Sequence, residues 1–312
     1  MTRWALPRTS VKLITPPIKC QGIKSKLVPF ITSNIAWDGE GRWVEPFLGS
    51  GVVLFSVQPE RALVCDINPH LIRFYSELQN GKVTAAMIKE HLLIEGGILL
   101  ETGETHFYAI RERFNAEPNS LDFLFLSRAC FNGLMRFNGK GRFNVPFCRK
   151  PERFRPAYIT KIVNQVKAVT QVIGDKDWQF LTADWRECLS RTCSDDFVYL
   201  DPPYIGRSTD YYNQWSDENA VQLAKSVQSL DCGYAMSMWL ENRYRQNSHV
   251  DDYWADAEVR TMEHFYHIGS TEDLRNSMTE ALLIKSGFEA HERRTERKAE
   301  IGRVGVLALE LI

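Results

Sequence analysis

The chain has 312 residues, of which 44% are hydrophobic and 25% charged, with seven cysteines and a formal net charge of −1. That length favours one large domain with a smaller insert over a single small core, and no stretch approaches the roughly 20 apolar residues of a membrane span. Met1 to Lys12 lacks the apolar core of a signal peptide, and an odd cysteine count without tight pairing fits a reducing compartment, so the cytoplasm is the expected location.

Trp43 to Phe47 reads as a strand, followed by the turn Leu48-Gly49-Ser50-Gly51 and a buried helix start at Val52 to Phe55. Ala62 to Cys65 is the next short strand and ends at Asp66. Asn68-Pro69 opens a helix to about Leu78, with Asn as cap and Pro at the first helical position. Residues 75 to 175 then read as mostly helical, with helices at Leu121 to Phe131 and Tyr158 to Ile173. Strands return at Trp178 to Leu181, Phe197 to Leu200 and Tyr234 to Met238, with a helix from Glu218 to Leu230 between the last two. Further strands are expected at Val259 to Tyr266, Glu280 to Lys285 and Val304 to Leu311. This rhythm predicts an α/β fold with a parallel sheet whose halves are separated by a helical insert.

Charge is unevenly divided. From Ser127 to Lys167 there are ten basic residues and one acidic residue, Glu152. A basic field of that size attracts phosphates. The interleaved Phe131, Phe137, Phe143, Phe147 and Phe154 are read as rings available for base contact.

Two strand ends carry chemistry. Asp201-Pro202-Pro203-Tyr204 follows the apolar run Phe197 to Leu200. The prolines fix φ and offer no N–H, so a carboxylate, outward carbonyls and a flat ring share one rigid corner. Such a corner suits a planar group with an exocyclic amine, which donates two N–H bonds and stacks on the ring. Gly49-x-Gly51 lets a ligand approach the backbone, and Asp66 at the next strand end can accept two ribose hydroxyls. A third fingerprint glycine is missing, which points to an adenosine-type cofactor without a diphosphate. S-adenosylmethionine fits. Lys24, in Lys19-Cys20-Gln21-Gly22-Ile23-Lys24, could meet a carboxylate such as that cofactor's methionine end.

Taken in order, Lys19 to Lys24, Glu45-Pro46-Phe47-Leu48-Gly49-Ser50-Gly51, Asp66, the basic insert and Asp201 to Tyr204 resemble the Dam-type, or alpha-group, N6-adenine-specific DNA methyltransferases. Within the insert, Phe131-Asn132-Gly133-Leu134-Met135-Arg136-Phe137-Asn138 and Phe143 to Phe147 look like that family's DNA-reading segment. The resemblance implies a Rossmann-like S-adenosylmethionine-dependent methyltransferase sheet formed by residues 1–74 and 176–312. It assigns residues 75–175 to a mostly helical target-recognition domain. It implies that Asp201, Pro202 and Tyr204 hold a flipped adenine, with Tyr211 or Tyr212 as a second face. Lys24, Phe47, Gly49, Gly51, Asp66 and Asp184 would bind S-adenosylmethionine. Lys19, Phe131, Asn132, Leu134, Arg136 and Asn138 would contact double-stranded DNA, with Lys19 and Arg136 reading the guanine before the adenine and Phe131 wedging into the duplex. One departure stands out: Cys20 occupies a position where the Dam-type pattern often has Trp.

The implied site contains GAT, within GATATC or GATC, and the implied setting is restriction-modification protection beside a cognate endonuclease. No membrane association is expected, and a monomer is the expected state. C5-cytosine chemistry is disfavoured, because no cysteine follows a proline. His264 and His267 lack matching partners for a metal, and none is expected. Two other readings stay open at this level: methylation of a non-DNA amine (RNA adenine or protein glutamine), and a catalytically silent sequence-specific DNA-binding protein.

Overall fold

The computed structural model describes residues 6–8, 10–20, 22–174, 176–204, 215–242, 245–265 and 277–290. The strands are β1 (Trp43–Glu45), β2 (Arg61–Asp66), β3 (Asp177–Thr182), β4 (Phe197–Leu200), β5 (Gly233–Asn242), β6 (Arg245–Gln246), β7 (Ala257–Phe265) and β8 (Ser277–Lys285). They form one sheet in the order β3-β2-β1-β4-β5-β8-β7, with β6 paired to β5 off that path. The pairs among β3, β2, β1, β4 and β5 are parallel, and β8 runs antiparallel to both β5 and β7. This is an α/β fold with a largely parallel sheet interrupted by a helical insert, as expected from the sequence.

Strands β1 and β4 are buried throughout, as an interior parallel strand covered on both faces must be. Their alternate side chains serve two cores. Trp43, Phe197 and Tyr199 join one; Val44, Val198 and Leu200 join the other. The second core is closed by the helices α8 (Trp185–Leu189), α9 (Asp217–Gln228) and α10 (His249–Tyr253), which supply Trp185, Leu223 and Val250.

The first core is larger. It takes in α1 (Val28–Asn34), α2 (Val52–Val57) and α3 (Pro69–Gln79), then the helices between β2 and β3: α4 (Ala85–Thr102), α5 (Glu104–Ala116), α6 (Ser120–Ala129) and α7 (Pro156–Ile173). Asn68 caps α3 through its side chain, accepting from the His70 amide, as the Asn-Pro signal predicts. A polar network ties three of the inserted helices. Arg113 of α5 donates to both oxygens of Asp122 on α6 and to Glu95 on α4, while His106 and His91 approach Glu95 and Asp122. Burial alone would raise Asp122, but Arg113 and its other donors hold it well below the usual carboxylate range.

Several boundaries differ from the sequence expectation. The first strand stops at Glu45, because Pro46 offers no N–H to the ladder. The helix expected to reach Phe131 ends at Ala129, where Cys130 turns extended and pairs with Phe147. The short helices α1, α8 and α10 carry too few residues for a clear helical period and were not expected. The strand expected at Val304 to Leu311, together with Tyr211, Tyr212, Tyr266 and His267, lies outside the described residues. No helix among the described residues is long and apolar enough to cross a membrane.

Candidate active site

Four adjacent parallel strands end at four of the sequence-selected positions. In sheet order, Asp184 lies two residues past β3, Asp66 closes β2, Phe47 lies two residues past β1, and Asp201 follows β4 directly. All four therefore line the carboxyl edge of the sheet. Chain connectivity reverses direction between β1 and β4, the place where open α/β sheets bind ligands.

The turn after β1 is built around Asp66. Gly49 donates its amide to Asp66 Oδ2 at 3.0 Å, and Asn68 donates to Oδ1 at 2.9 Å. Gly49 and Gly51 both have left-handed φ, 52° and 77°. A side chain on Gly51 would drive into the Phe55 ring, at 2.5 Å, whereas one on Gly49 would meet nothing within 4 Å. Gly51 is thus set by packing, and Gly49 presents bare backbone to an open space beside a carboxylate. Burial pushes the Asp66 carboxyl up to about 6, against the two amides that stabilise its charge. Phe47 meets Trp215 edge to face at 5.6 Å, and Trp215 leans on Trp185. Asp184 caps α8, accepting from the Arg186 amide and pairing with the Arg186 guanidinium at 3.0 Å. Two aspartates, aromatic rings and bare glycine backbone thus stand along one stretch of the sheet edge.

The Asp201 corner is braced from two sides. Lys24 Nζ lies 2.9 Å from Asp201 Oδ1 and 4.7 Å above the Tyr204 ring centre. Tyr204 donates its hydroxyl to Glu280 Oε2 at 2.6 Å. Lys24 and Glu280 are both buried, at 4% and 1% exposure. Burial raises the Asp201 pKa, Lys24 opposes that, and Glu280 adds to it. Nearby Glu45 is pushed up to about 8 by burial, although Trp43 donates to it at 2.7 Å. A cleft lined by Pro202, Pro203, Tyr204, Trp215, Trp239 and Asn247 opens beside the corner.

The sequence placed Lys24 at a cofactor carboxylate; in the structure it stands on Asp201. Glu280 was missed altogether. Its signal was present: a lone acid inside the apolar strand Met278 to Ile284 is costly to bury unless it has a partner.

A second cluster joins residues more than 100 positions apart. Lys19 donates its amide to Ser127 Oγ at 3.0 Å, and its side chain packs over Gly133, where a Cβ would lie 2.6 Å from Lys19 Cδ. Phe131 is half exposed, and Asn132 and Gly133 both have left-handed φ, 52° and 67°. Leu134 is half-buried, and its carbonyl faces the Cys130 thiol. Arg136 Nε donates to Asn144 Oδ1 at 2.9 Å. Asn138 accepts the amides of Lys140 and Arg142, so in this structure its side chain closes a turn.

Two expectations about this segment are corrected. Phe137, Phe143, Phe147 and Phe154 are buried core residues; of the five interleaved rings only Phe131 faces outward. Arg128 is also buried, donating to the Pro17 carbonyl and Gln165, so it braces the fold and contributes no surface charge. Lys140, Arg142, Arg149, Lys150, Arg155, Lys161 and Lys167 do remain exposed. At Cys20, where the pattern often has Trp, the wall is completed by sulfur: Cys20 Sγ lies 4.0 Å from Met135 Sδ, which also receives Asn68 Nδ2.

The sequence is similar to those of known methyltransferases. The chain is 28% identical over 257 residues to type II methyltransferase M.MjaIII of Methanocaldococcus jannaschii, covering 74% of this chain and 85% of that one. It is 24% identical over 289 residues to type II methyltransferase M1.LlaDCHI of Lactococcus lactis subsp. cremoris, covering 88% and 96%. It is 36% identical over 198 residues to the DNA adenine methylase of Vibrio cholerae, covering 62% and 66%. Residues 21–268 match the D12 class N6 adenine-specific DNA methyltransferase family, and the chain belongs to it.

Proposed function

We propose that this adenine-specific DNA methyltransferase captures a flipped adenine at Asp201, Pro202 and Tyr204 and methylates its N6, using S-adenosylmethionine bound at the Asp66 turn. The observation that carries this reading is the placement of Asp201 and the Asp66–Gly49 turn on neighbouring strand ends. A base and a donor held there would be side by side.

S-adenosylmethionine supplies an electrophilic sulfonium methyl. The chain's own residues do the rest. Adenine N6 is a weak nucleophile because its lone pair is delocalised into the ring. The Asp201 carboxylate and the Pro202 carbonyl accept its two hydrogens and favour a pyramidal nitrogen. The Tyr204 ring stacks on the base, offsetting part of the few kcal/mol that flipping costs. Lys24 keeps Asp201 ionised and in place. Asp66 would accept the ribose hydroxyls, Gly49 and Gly51 would let the donor approach the backbone, and Phe47 and Asp184 would hold its adenine.

Residues 75–175 form the target-recognition unit. Lys19 and Arg136 read the guanine before the adenine, Arg136 by a bidentate fork on O6 and N7. Phe131 enters the duplex, with Asn132 at the base left unpaired and Leu134 and Asn138 shaping the contact. Pro16 to Lys19, Leu121 to Leu126 and Glu263 to His267 are similar to the EcoRV modification methyltransferase. On that basis GATATC is the proposed site, with GATC next, and protection against a cognate endonuclease in the cytoplasm is the proposed role.

The test is radiolabelled methyl transfer to duplexes carrying GATATC, GATC or a scrambled site, and to RNA and protein extract. Label at the adenine of a GAT duplex is expected. Label confined to RNA or protein would overturn the substrate assignment, and label in the scrambled duplex would overturn the site.

A further inference from the structure

Arg128 is a buried guanidinium, and every group it donates to is neutral: the Pro16 and Pro17 carbonyls, Gln165 Oε1, and the Tyr158 hydroxyl at 3.2 Å. A buried charge is costly unless an opposite charge stands beside it. Here two further cations stand there instead. Arg153, in the single turn Pro151–Phe154, donates its Nε to the Arg128 carbonyl at 2.7 Å. Its guanidinium lies 5.1 Å from the centre of the Tyr158 ring, and that of Arg128 lies 5.8 Å from it. Lys19 is the third: burial lowers its pKa, and Arg153 and Arg128 lower it further. Burial would raise the Tyr158 phenol, yet Arg128, Arg153 and Lys19 together hold it below its ordinary value. Among the described residues no carboxylate forms an ion pair with any of the three cations.

The cluster has donors in excess. Arg153 uses only Nε within the chain, so its Nη groups have no acceptor among the described residues. Tyr158 accepts from Arg128 and keeps its own O–H to give. Lys19, Arg153 and Tyr158 are all half-buried, so a ligand can reach them. What this set lacks is an anion with several acceptor oxygens. Its place in the fold says which one. The Lys19 side chain packs over Gly133, two residues from half-exposed Phe131, so the cluster borders the segment that meets the duplex under the proposed function.

We propose that the Arg153 guanidinium and the Tyr158 hydroxyl bind one backbone phosphate of the duplex, beside the guanine assigned to Lys19. This rests on the proposed function and adds a contact to it. Phosphate contacts fix register, and base contacts carry sequence. The phosphate on Arg153 therefore sets where Lys19 meets its guanine. Arg128 lies behind and makes no contact with DNA; its balancing charge arrives with the phosphate.

Duplex affinity of the full chain, measured by fluorescence anisotropy over a range of salt concentrations, tests it. Arg153→Gln should reduce the slope of log affinity against log salt by about one, the share of one phosphate. Arg153→Lys, which keeps the charge, should retain the slope. Duplexes with a single uncharged methylphosphonate locate the contact: a substitution flanking the guanine should weaken binding by the wild type and leave Arg153→Gln indifferent. An unchanged slope in Arg153→Gln would overturn the proposal. So would a wild type indifferent to methylphosphonate on both sides of the guanine, a result that needs no variant to fold. A wild type without preference for a GAT duplex would defeat the reading underneath and the proposal with it. A preference that persists beside an unchanged slope in Arg153→Gln would defeat the phosphate contact alone.

Discussion

Lys24 Nζ sits 2.9 Å from Asp201 Oδ1, so a lysine from before the first strand holds the carboxylate at the end of β4. Lys24 is buried and Asp201 partly so. Burial raises the Asp201 pKa, and the ammonium is the main force against that. Lys24→Met should therefore lower kcat by about 10–100-fold and move the acid limb of the pH–rate profile to higher pH. Lys24→Arg should restore part of the rate. Rate measurements across pH check this, and an acid limb that stays in place in Lys24→Met would contradict the role.

Asp66 links donor binding and stability with opposite signs. Its carboxyl is raised to about 6 in the fold, above the ordinary value. Under the proposed function the ionised form is the one that would accept ribose hydroxyls. Affinity for S-adenosylmethionine should then fall as pH drops below about 6, by up to about tenfold per unit. Folding stability runs the other way. A raised carboxyl contributes stability that is fully present below its unfolded value and is lost as pH rises through about 6. Asp66→Asn should raise the melting temperature at pH 7 while weakening donor binding at every pH. Calorimetric titration and thermal melts measure the two, and wild-type affinity unchanged from pH 8 to 5 would refute the assignment.

Glu280 receives the Tyr204 hydroxyl at 2.6 Å, so under the proposed function it would act on the base through that ring. Removing the acceptor leaves a hydroxyl without its partner and frees the ring to turn. Glu280→Ala should reduce flipping of the target base by about 1–2 kcal/mol, while Glu280→Gln, which keeps an acceptor, should retain most of it. Fluorescence of a duplex with 2-aminopurine at the target position reads flipping directly. Equal loss in both variants would show that Glu280 serves only the fold.

Arg136 is held by Asn144, whose side-chain oxygen accepts from Nε at 2.9 Å and whose backbone carbonyl accepts from Nη2 at 3.5 Å, beside the half-exposed Phe131 segment. Arg136→Ala should relax discrimination at the guanine by about 1–3 kcal/mol. A panel of substituted duplexes measures this, and an unchanged base preference would remove Arg136 from that role.

Much of this was legible in the sequence because it rests on local signals. The Asn68-Pro69 cap, the apolar run into Asp201 and the Gly49–Gly51 turn each declare an element end through residues adjacent in the chain. The resemblance to a family then ordered them. What the sequence hid is what the sheet assembles at a distance: Lys24 on Asp201, Glu280 under Tyr204, Lys19 over Gly133, and Met135 beside Cys20. No periodicity encodes those meetings. The interleaved phenylalanines misled for a related reason. Alternation of rings and charges looks the same whether the rings face a base or a core, and only the packing of α4 to α7 decides.

The central claim is that the Asp201 corner faces the base and not the donor. Methyl transfer by Asp201→Ala to a GAT duplex, at a donor concentration where calorimetry finds the variant saturated, tests it most directly. The account predicts donor affinity close to wild type with methylation abolished. Methylation persisting at a comparable rate in the saturated variant would contradict it.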